Sequence, residues 1–179
     1  MRLLAFTLAL LAITILACTR APLVRPTASP IPVSHTDAFA YCRAVGTIDA
    51  PDARWVGDKV PQAVARGLRR AVEAPPDSPL DMFINSSSWR CMSGKVYACN
   101  VGANLPCTEH ADLRQTPNTG MLNYCRDNPN TDVIPAVAAG RATIYLWRCT
   151  LGTPAVVRQI TRADERGFIA SIWYEITPG

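Results

Sequence analysis

The chain has 179 residues and a mass of 19.4 kDa, enough for one domain with appendages. Charged residues make up only 18% of it and the net charge is +4, or +3 without Arg2. So small and scattered a surplus excludes nucleic-acid packaging and gives weak steering at most, and no nucleic-acid partner is expected.

Residues 1–17 read as an export signal, with Arg2 followed by an apolar run from Leu3 to Leu16. The run is shorter than the roughly 20 residues that span a bilayer. It ends in Ile15-Leu16-Ala17-Cys18, which resembles the bacterial lipobox, with Ile15 where that pattern prefers Leu. The resemblance implies cleavage before Cys18, diacylation of its thiol and a membrane as first partner. Each buried acyl CH₂ would then contribute about 0.8 kcal/mol to anchoring. Residues 18–35 form a tether: Pro22, Pro26, Pro30 and Pro32 lie among Ala, Thr and Ser without hydrophobic period. In extended geometry it reaches on the order of 50 Å. His35, at its end, is expected in solvent.

The folded domain is placed at 36–179. Six cysteines remain there, Cys42, Cys91, Cys99, Cys107, Cys125 and Cys149. An even number in an exported chain implies three disulfides, with pairing that the sequence leaves open.

In chain order, Thr36-Asp37 begins a helix that Gly46 stops, with Phe39, Cys42 and Val45 on its inner face. Residues 47–58 are irregular and anchored by Trp55. A second helix starts near Pro61, with Val64, Leu68 and Val72 inward and Arg66, Arg69 and Arg70 in solvent, and Pro75-Pro76 and Pro79 end it. Met82-Phe83-Ile84 reads as a short strand. Trp89–Met92 and Lys95–Cys99 form a hairpin about Ser93-Gly94. Residues 100–115 are loop. A third helix, capped at Thr116-Pro117, runs to Cys125 with Met121, Leu122 and Cys125 inward, and Asn128-Pro129 stops it. From Arg141 an apolar strand covered on both faces leads through a turn at Thr150–Thr153 to Ala155–Ile160. After a turn at Asp164–Gly167, the strand Phe168–Ile176 completes a three-stranded meander.

Two stretches are written alike: Trp89-Arg90-Cys91-Met92-Ser93-Gly94 and Trp147-Arg148-Cys149-Thr150-Leu151-Gly152. Strand side chains alternate, so each copy sends Trp and Cys to one face and Arg to the other, outward. Trp89 and Trp147 are expected in the core. Cys91 and Cys149 pair with each other or with the helix cysteines Cys42 and Cys125. The expected class is α+β: a small antiparallel sheet, two hairpins plus a C-terminal strand, with two to three short helices, cross-linked by disulfides.

No complete catalytic set emerges. His110 beside a cysteine would need a free thiol. Cys107-Thr-Glu-His110 lacks the second pair that a zinc site needs. Ser86-Ser87-Ser88 has no Gly-x-Ser-x-Gly context, and Glu109 and Asp112 lie in a loop that does not define the separation two catalytic carboxylates need. Gly94, Gly102 and Gly120 match no phosphate-binding pattern. Neither enzyme, metal nor cofactor is expected. A cysteine-fixed loop that offers Asn100, Asn104, Asp112 and Arg114 is the candidate ligand surface, since amides supply both donors and acceptors.

Two further resemblances bear on function. Cys91-x-x-Gly94-x-Val96, the run from Cys99 to Cys107, Asn128-Pro129-Asn130, Ile134-Pro135 and the run from Gly140 to Cys149 resemble a group of exported bacterial lipoproteins with six domain cysteines. That group has no established activity, so the resemblance implies architecture and export. Ser93-Gly94-Lys95-Val96-Tyr97 resembles the Ser-Gly-x-x-Tyr motif of the membrane-bound inhibitors of c-type lysozyme. It implies that Ser93 sits on a turn entering a hydrolase cleft, although that family's Trp-x-x-Lys-Gly element is absent. The expectation is a lipid-anchored binding or structural domain of the bacterial cell envelope, facing glycan or protein. The alternative is an inhibitor acting through Ser93 and Tyr97.

Overall fold

The computed structural model describes residues 33–102 and 105–179; the leader, Cys18, the tether up to residue 32 and Asn104 lie outside the described residues. Five helices are described: α1 (Ala38–Val45), α2 (Gln62–Ala71), α3 (Leu80–Asn85), α4 (Thr119–Asp127) and α5 (Ala136–Ala139). They accompany five strands: β1 (Ser87–Met92), β2 (Lys95–Asn100), β3 (Tyr145–Thr150), β4 (Thr153–Gln159) and β5 (Tyr174–Ile176). All pairing between these strands is antiparallel, in a three-stranded sheet ordered β1-β2-β5 and a separate β3-β4 hairpin. The class is α+β and cross-linked, as expected. No helix among the described residues is long and apolar enough to cross a membrane.

Three disulfides join Cys42 to Cys91, Cys99 to Cys107 and Cys125 to Cys149. Cys91 and Cys149 therefore bond to the helix cysteines Cys42 and Cys125 and not to each other, while Cys99 in β2 bonds to the loop cysteine Cys107. Such bonds persist in an oxidising, extracytoplasmic compartment.

The repeated hexapeptide is half of a larger repeat. Its second half is Tyr-Cys-Arg, at Tyr41-Cys42-Arg43 in α1 and Tyr124-Cys125-Arg126 in α4. Each helix cysteine bonds to its hairpin cysteine, and the chain after each helix repeats the same connections. Four residues beyond the cysteine, the carbonyls of Gly46 and Pro129 accept from the turn glycines Gly94 and Gly152, at 2.8 and 2.9 Å. Six residues beyond, Ile48 exchanges two backbone bonds with Cys91, and the Thr131 carbonyl accepts from Cys149 at 2.8 Å. Both hairpins close on two residues at positive φ, Ser93-Gly94 (53° and 78°) and Leu151-Gly152 (49° and 79°). That is the signature of the tight turn whose twist matches the strands.

Each unit has its own core. Trp89, Cys91, Tyr41 and Cys42 pack with Val64, Leu68, Phe83 and Ile176; Trp147, Cys149 and Cys125 pack with Met121, Ile134 and Ala139. The two tryptophans are 3% and 2% exposed, as the alternation predicts. A third cluster, Cys99, Cys107, Phe168 and Trp173, lies beside β2.

Several expectations are corrected. Residues 82–84 are helical, inside α3: Asp81 favours its first turn and Phe83 alone is buried, while Met82 is 59% exposed. In α1 the fully buried residues are Ala38, Tyr41 and Cys42, while Phe39 and Val45 pack against the core only partly buried, because six helical steps carry Val45 well round from Phe39. The third helix starts after Asn118, whose side-chain Oδ1 accepts from Met121 N at 2.8 Å, and Leu122 faces solvent. Strand β3 begins at Tyr145, with a register shift between Leu146 and Trp147, and buries one face only. The meander does not form. Residues 170–172 are a 3₁₀ turn, and β5 pairs with β2, Val96 opposite Ile176, so that Ile176 enters the first core. His35 is not in open solvent: its ring meets Tyr41 edge-on at 5.9 Å and its backbone bridges to the Trp55 segment.

Candidate functional site

Alternation along β1 sends Trp89 and Cys91 into the first core, with Ser87 buried on the same side of the strand, and Arg90 to the opposite face. That face is covered. The segment from Arg162 to Trp173 crosses it, and Arg90 is 1% exposed, which corrects the expectation of an outward arginine. Its counterpart Arg148 is exposed, as expected.

The cover is built around Asp164. Its Oδ1 accepts from Arg166 N at 2.8 Å and Phe168 N at 3.1 Å, which shapes the turn closed by Gly167 at φ 85°. Its Oδ2 pairs with Arg90 Nη2. The turn delivers Phe168 onto the guanidinium, 4.4 Å from the ring centroid, and the following residues bring Trp173 to 4.2 Å. A cation held against two aromatic rings gains about 0.5–2 kcal/mol from each. That gain and the Asp164 carboxylate offset a desolvation that would otherwise exclude a charge from this position.

Arg90 forms part of the lining of a cavity of about 580 Å³, together with Met92, Ser93, Lys95, Tyr97, Arg162, Asp164, Glu165 and Trp173. On its sheet side Glu175 Oε2 accepts from Lys95 Nζ at 2.9 Å and from Tyr97 Oη at 3.2 Å. The Lys95 hydrogen bond holds the Glu175 carboxyl below its ordinary value, and burial pushes the Tyr97 phenol up. Trp173 also lines a second cavity of about 360 Å³, whose walls include Asp49, Pro51, Ser87, Trp89, Thr108 and Phe168. Beside it Asp49 takes a bidentate pair from Arg166, at 2.9 and 2.8 Å, which lowers the Asp49 pKa.

Both residues of the expected inhibitory turn, Ser93 and Tyr97, line the first cavity; Ser93 is exposed at the turn and Tyr97 is half-buried. The described residues of the expected ligand loop each have a partner within the protein. Asn100 ends β2 and its Oδ1 accepts from Ser86 Oγ at 3.0 Å, while Asp112 and Arg114 pair with each other. The Arg114 hydrogen bonds lower the Asp112 pKa. Asn104 lies outside the described residues. Glu109, His110 and Asp112 each engage a different neighbour: Glu109 pairs with Arg141, His110 meets Phe168 edge-on at 4.7 Å, and Asp112 holds Arg114. Cys107 is bonded to Cys99, so its sulfur is neither nucleophile nor metal ligand in the oxidised protein.

Sequence reasoning missed Arg90, Asp164, Phe168 and Trp173 as a unit. A local signal was a difference between the two copies of the repeat at the arginine: Tyr97 stands opposite Arg90, where Ala155 stands opposite Arg148. No known protein family matches the chain, and no curated protein or solved structure matches it.

Proposed function

We propose that the protein is a lipid-anchored, non-enzymatic binding domain of the bacterial cell envelope that takes its ligand in the cleft over Arg90. The observation that carries this reading is the guanidinium itself: it is 1% exposed, borders a cavity of about 580 Å³, and has no protein partner for Nε or Nη1. A fold seldom buries an arginine with donors unspent unless something else uses them. The three disulfides support an extracytoplasmic setting. The anchor rests on the sequence ending in Cys18.

The test is capture. Full-length protein in non-ionic detergent, kept oxidised, is mixed with purified peptidoglycan and with envelope extract. Retention of one component, reduced by Arg162→Gln at the cleft rim, is the expected result; no retained component overturns the reading. The membrane claim is checked by the intact mass of the protein from its membrane fraction, where an acylated Cys18 at the mature N-terminus is expected.

A second reading, an inhibitor of a lysozyme-type hydrolase, is favoured by the exposure of Ser93 at a turn beside the same cleft. A molar excess of the protein that leaves lysozyme activity unchanged sinks it.

A further inference from the structure

We infer that the cleft over Arg90 is a carboxylate site, its occupant presenting a free carboxylate to Arg90 and Trp173; this rests on the cleft being the ligand site. Among the described residues, four buried side-chain polar atoms lack a partner: Ser87 Oγ, Arg90 Nε, Arg90 Nη1 and Trp173 Nε1. All four belong to residues that line the two cavities meeting at Trp173. Guanidinium and indole nitrogens only donate. The group that complements them is therefore an acceptor, and three of the four unpartnered atoms belong to Arg90 and Trp173, which touch each other.

Geometry narrows the acceptor. Phe168 and Trp173 lie 4.4 and 4.2 Å from the guanidinium carbon with their planes 71° apart, and Asp164 takes Nη2, so Nε and Nη1 are the donors left without a protein partner. In-plane approach to a guanidinium edge is how a planar carboxylate pairs with arginine. Charge narrows it further. Asp164 answers Arg90 and Glu175 answers Lys95, which leaves Arg162 and Glu165 at the rim. A lining so nearly balanced suits a monoanion better than a phosphate dianion. The remaining walls, Met92, Tyr97, Ala170 and the Trp173 ring, suit an apolar or sugar-like body behind the carboxylate. Such a group closes a peptide chain or belongs to a sugar acid, and the experiment separates these sources.

Full-length oxidised protein in non-ionic detergent is titrated calorimetrically with N-acetyl-alanyl-alanine and with N-acetylmuramic acid, each alongside its methyl ester. At least one acid is expected to bind saturably, with its ester about tenfold weaker or worse. Which acid binds identifies the source. Arg90→Met would unpair Asp164 and endanger the fold, so Trp173→Phe carries the residue test: it keeps a ring over Arg90 and removes one donor. Its expected effect is a loss of affinity for the acid of about threefold to tenfold.

Equal binding of acid and ester overturns the carboxylate assignment while leaving the cleft a binding site. Unchanged acid affinity in Trp173→Phe overturns the placement in this cleft. Binding of neither acid at millimolar concentration overturns the inference outright, and the envelope capture experiment, which presumes no carboxylate, then decides the binding reading separately.

Discussion

Arg90 shows how far a single side chain departs from what its neighbours in sequence imply. In β1 it occupies the position that Arg148 occupies in β3, between a buried Trp and a buried Cys, yet one is sealed and the other exposed. The difference lies 74 residues away, in Asp164. Asp164→Asn should keep an acceptor for the turn and withdraw the counter-charge, so it isolates the pairing. Breaking a buried pair from one side costs about 3–5 kcal/mol; denaturant unfolding should show a loss at the lower end of that range. A loss under about 1 kcal/mol, the size expected of an exposed pair, would mean that Arg90 does not depend on Asp164. Nothing local in the sequence marks Asp164 as that partner, which is why the cleft was not legible while the half-cystines and the core tryptophans were.

The acid side chains support a second prediction at this scale. Arg166 holds the Asp49 carboxyl below its ordinary value, Arg114 does the same to Asp112, Lys95 to Glu175, and Arg54 takes Asp52 down to about 2. A depressed carboxylate contributes stability that is complete above its unfolded value and is lost as pH falls through its folded value. The denaturation midpoint should therefore hold from neutrality to about pH 4, the ordinary carboxylate range, and decline below it. A midpoint already lost well above that point would contradict these pairings.

At the scale of elements, both hairpins were readable because the information is local: alternation along the strands and a glycine where the chain must turn. The two helices were readable as well, but their correspondence was not, although Tyr-Cys-Arg stands in plain view twice, because Tyr41 is wholly buried and Tyr124 only partly, and a three-letter match is short. The Met82–Ile84 segment was misread for the complementary reason: three apolar residues carry no period that separates a strand from a helical turn. The second hairpin has a correctable flaw. Leu151 is 85% exposed and sits at φ 49°, a conformation that costs a branched side chain about 1–2 kcal/mol and that Asn tolerates. Its backbone N–H already bonds to Asn130, an interaction independent of its side chain. Leu151→Asn should stabilise the protein by about 1 kcal/mol, seen as a raised midpoint with unchanged denaturant slope. Ser93 stands at the corresponding place in the first hairpin, and there the residue borders the cleft, so the change is better made at Leu151.

For the whole molecule, the decisive fact is that the last strand returns to the first unit. Sequential strands usually neighbour one another, which favours the meander. The return depends on a close fit as well as on pairing with β2: in α2, a Cβ added at Gly67 would lie 2.3 Å from Ile176 Cγ2. The glycine in α2 thus opens room for β5 to dock on β2. In most helices replacing an interior glycine by alanine gains about 0.5–1 kcal/mol. Here the methyl meets the branched end of Ile176 next to its own backbone, where little can move, and overpacking of this kind costs about 1–3 kcal/mol. Gly67→Ala should therefore destabilise the protein, against the propensity rule. Ile176→Ala alone should cost about 2–5 kcal/mol through the space it leaves. In the double variant the new methyl enters that space, so the combined loss should be smaller than the sum of the two. Stabilisation by Gly67→Ala, or strict additivity of the pair, would show that β5 is not seated on α2. The cleft would then lose its floor as well, since Glu175, which orders Lys95 and Tyr97 beneath it, is held in register by the same strand.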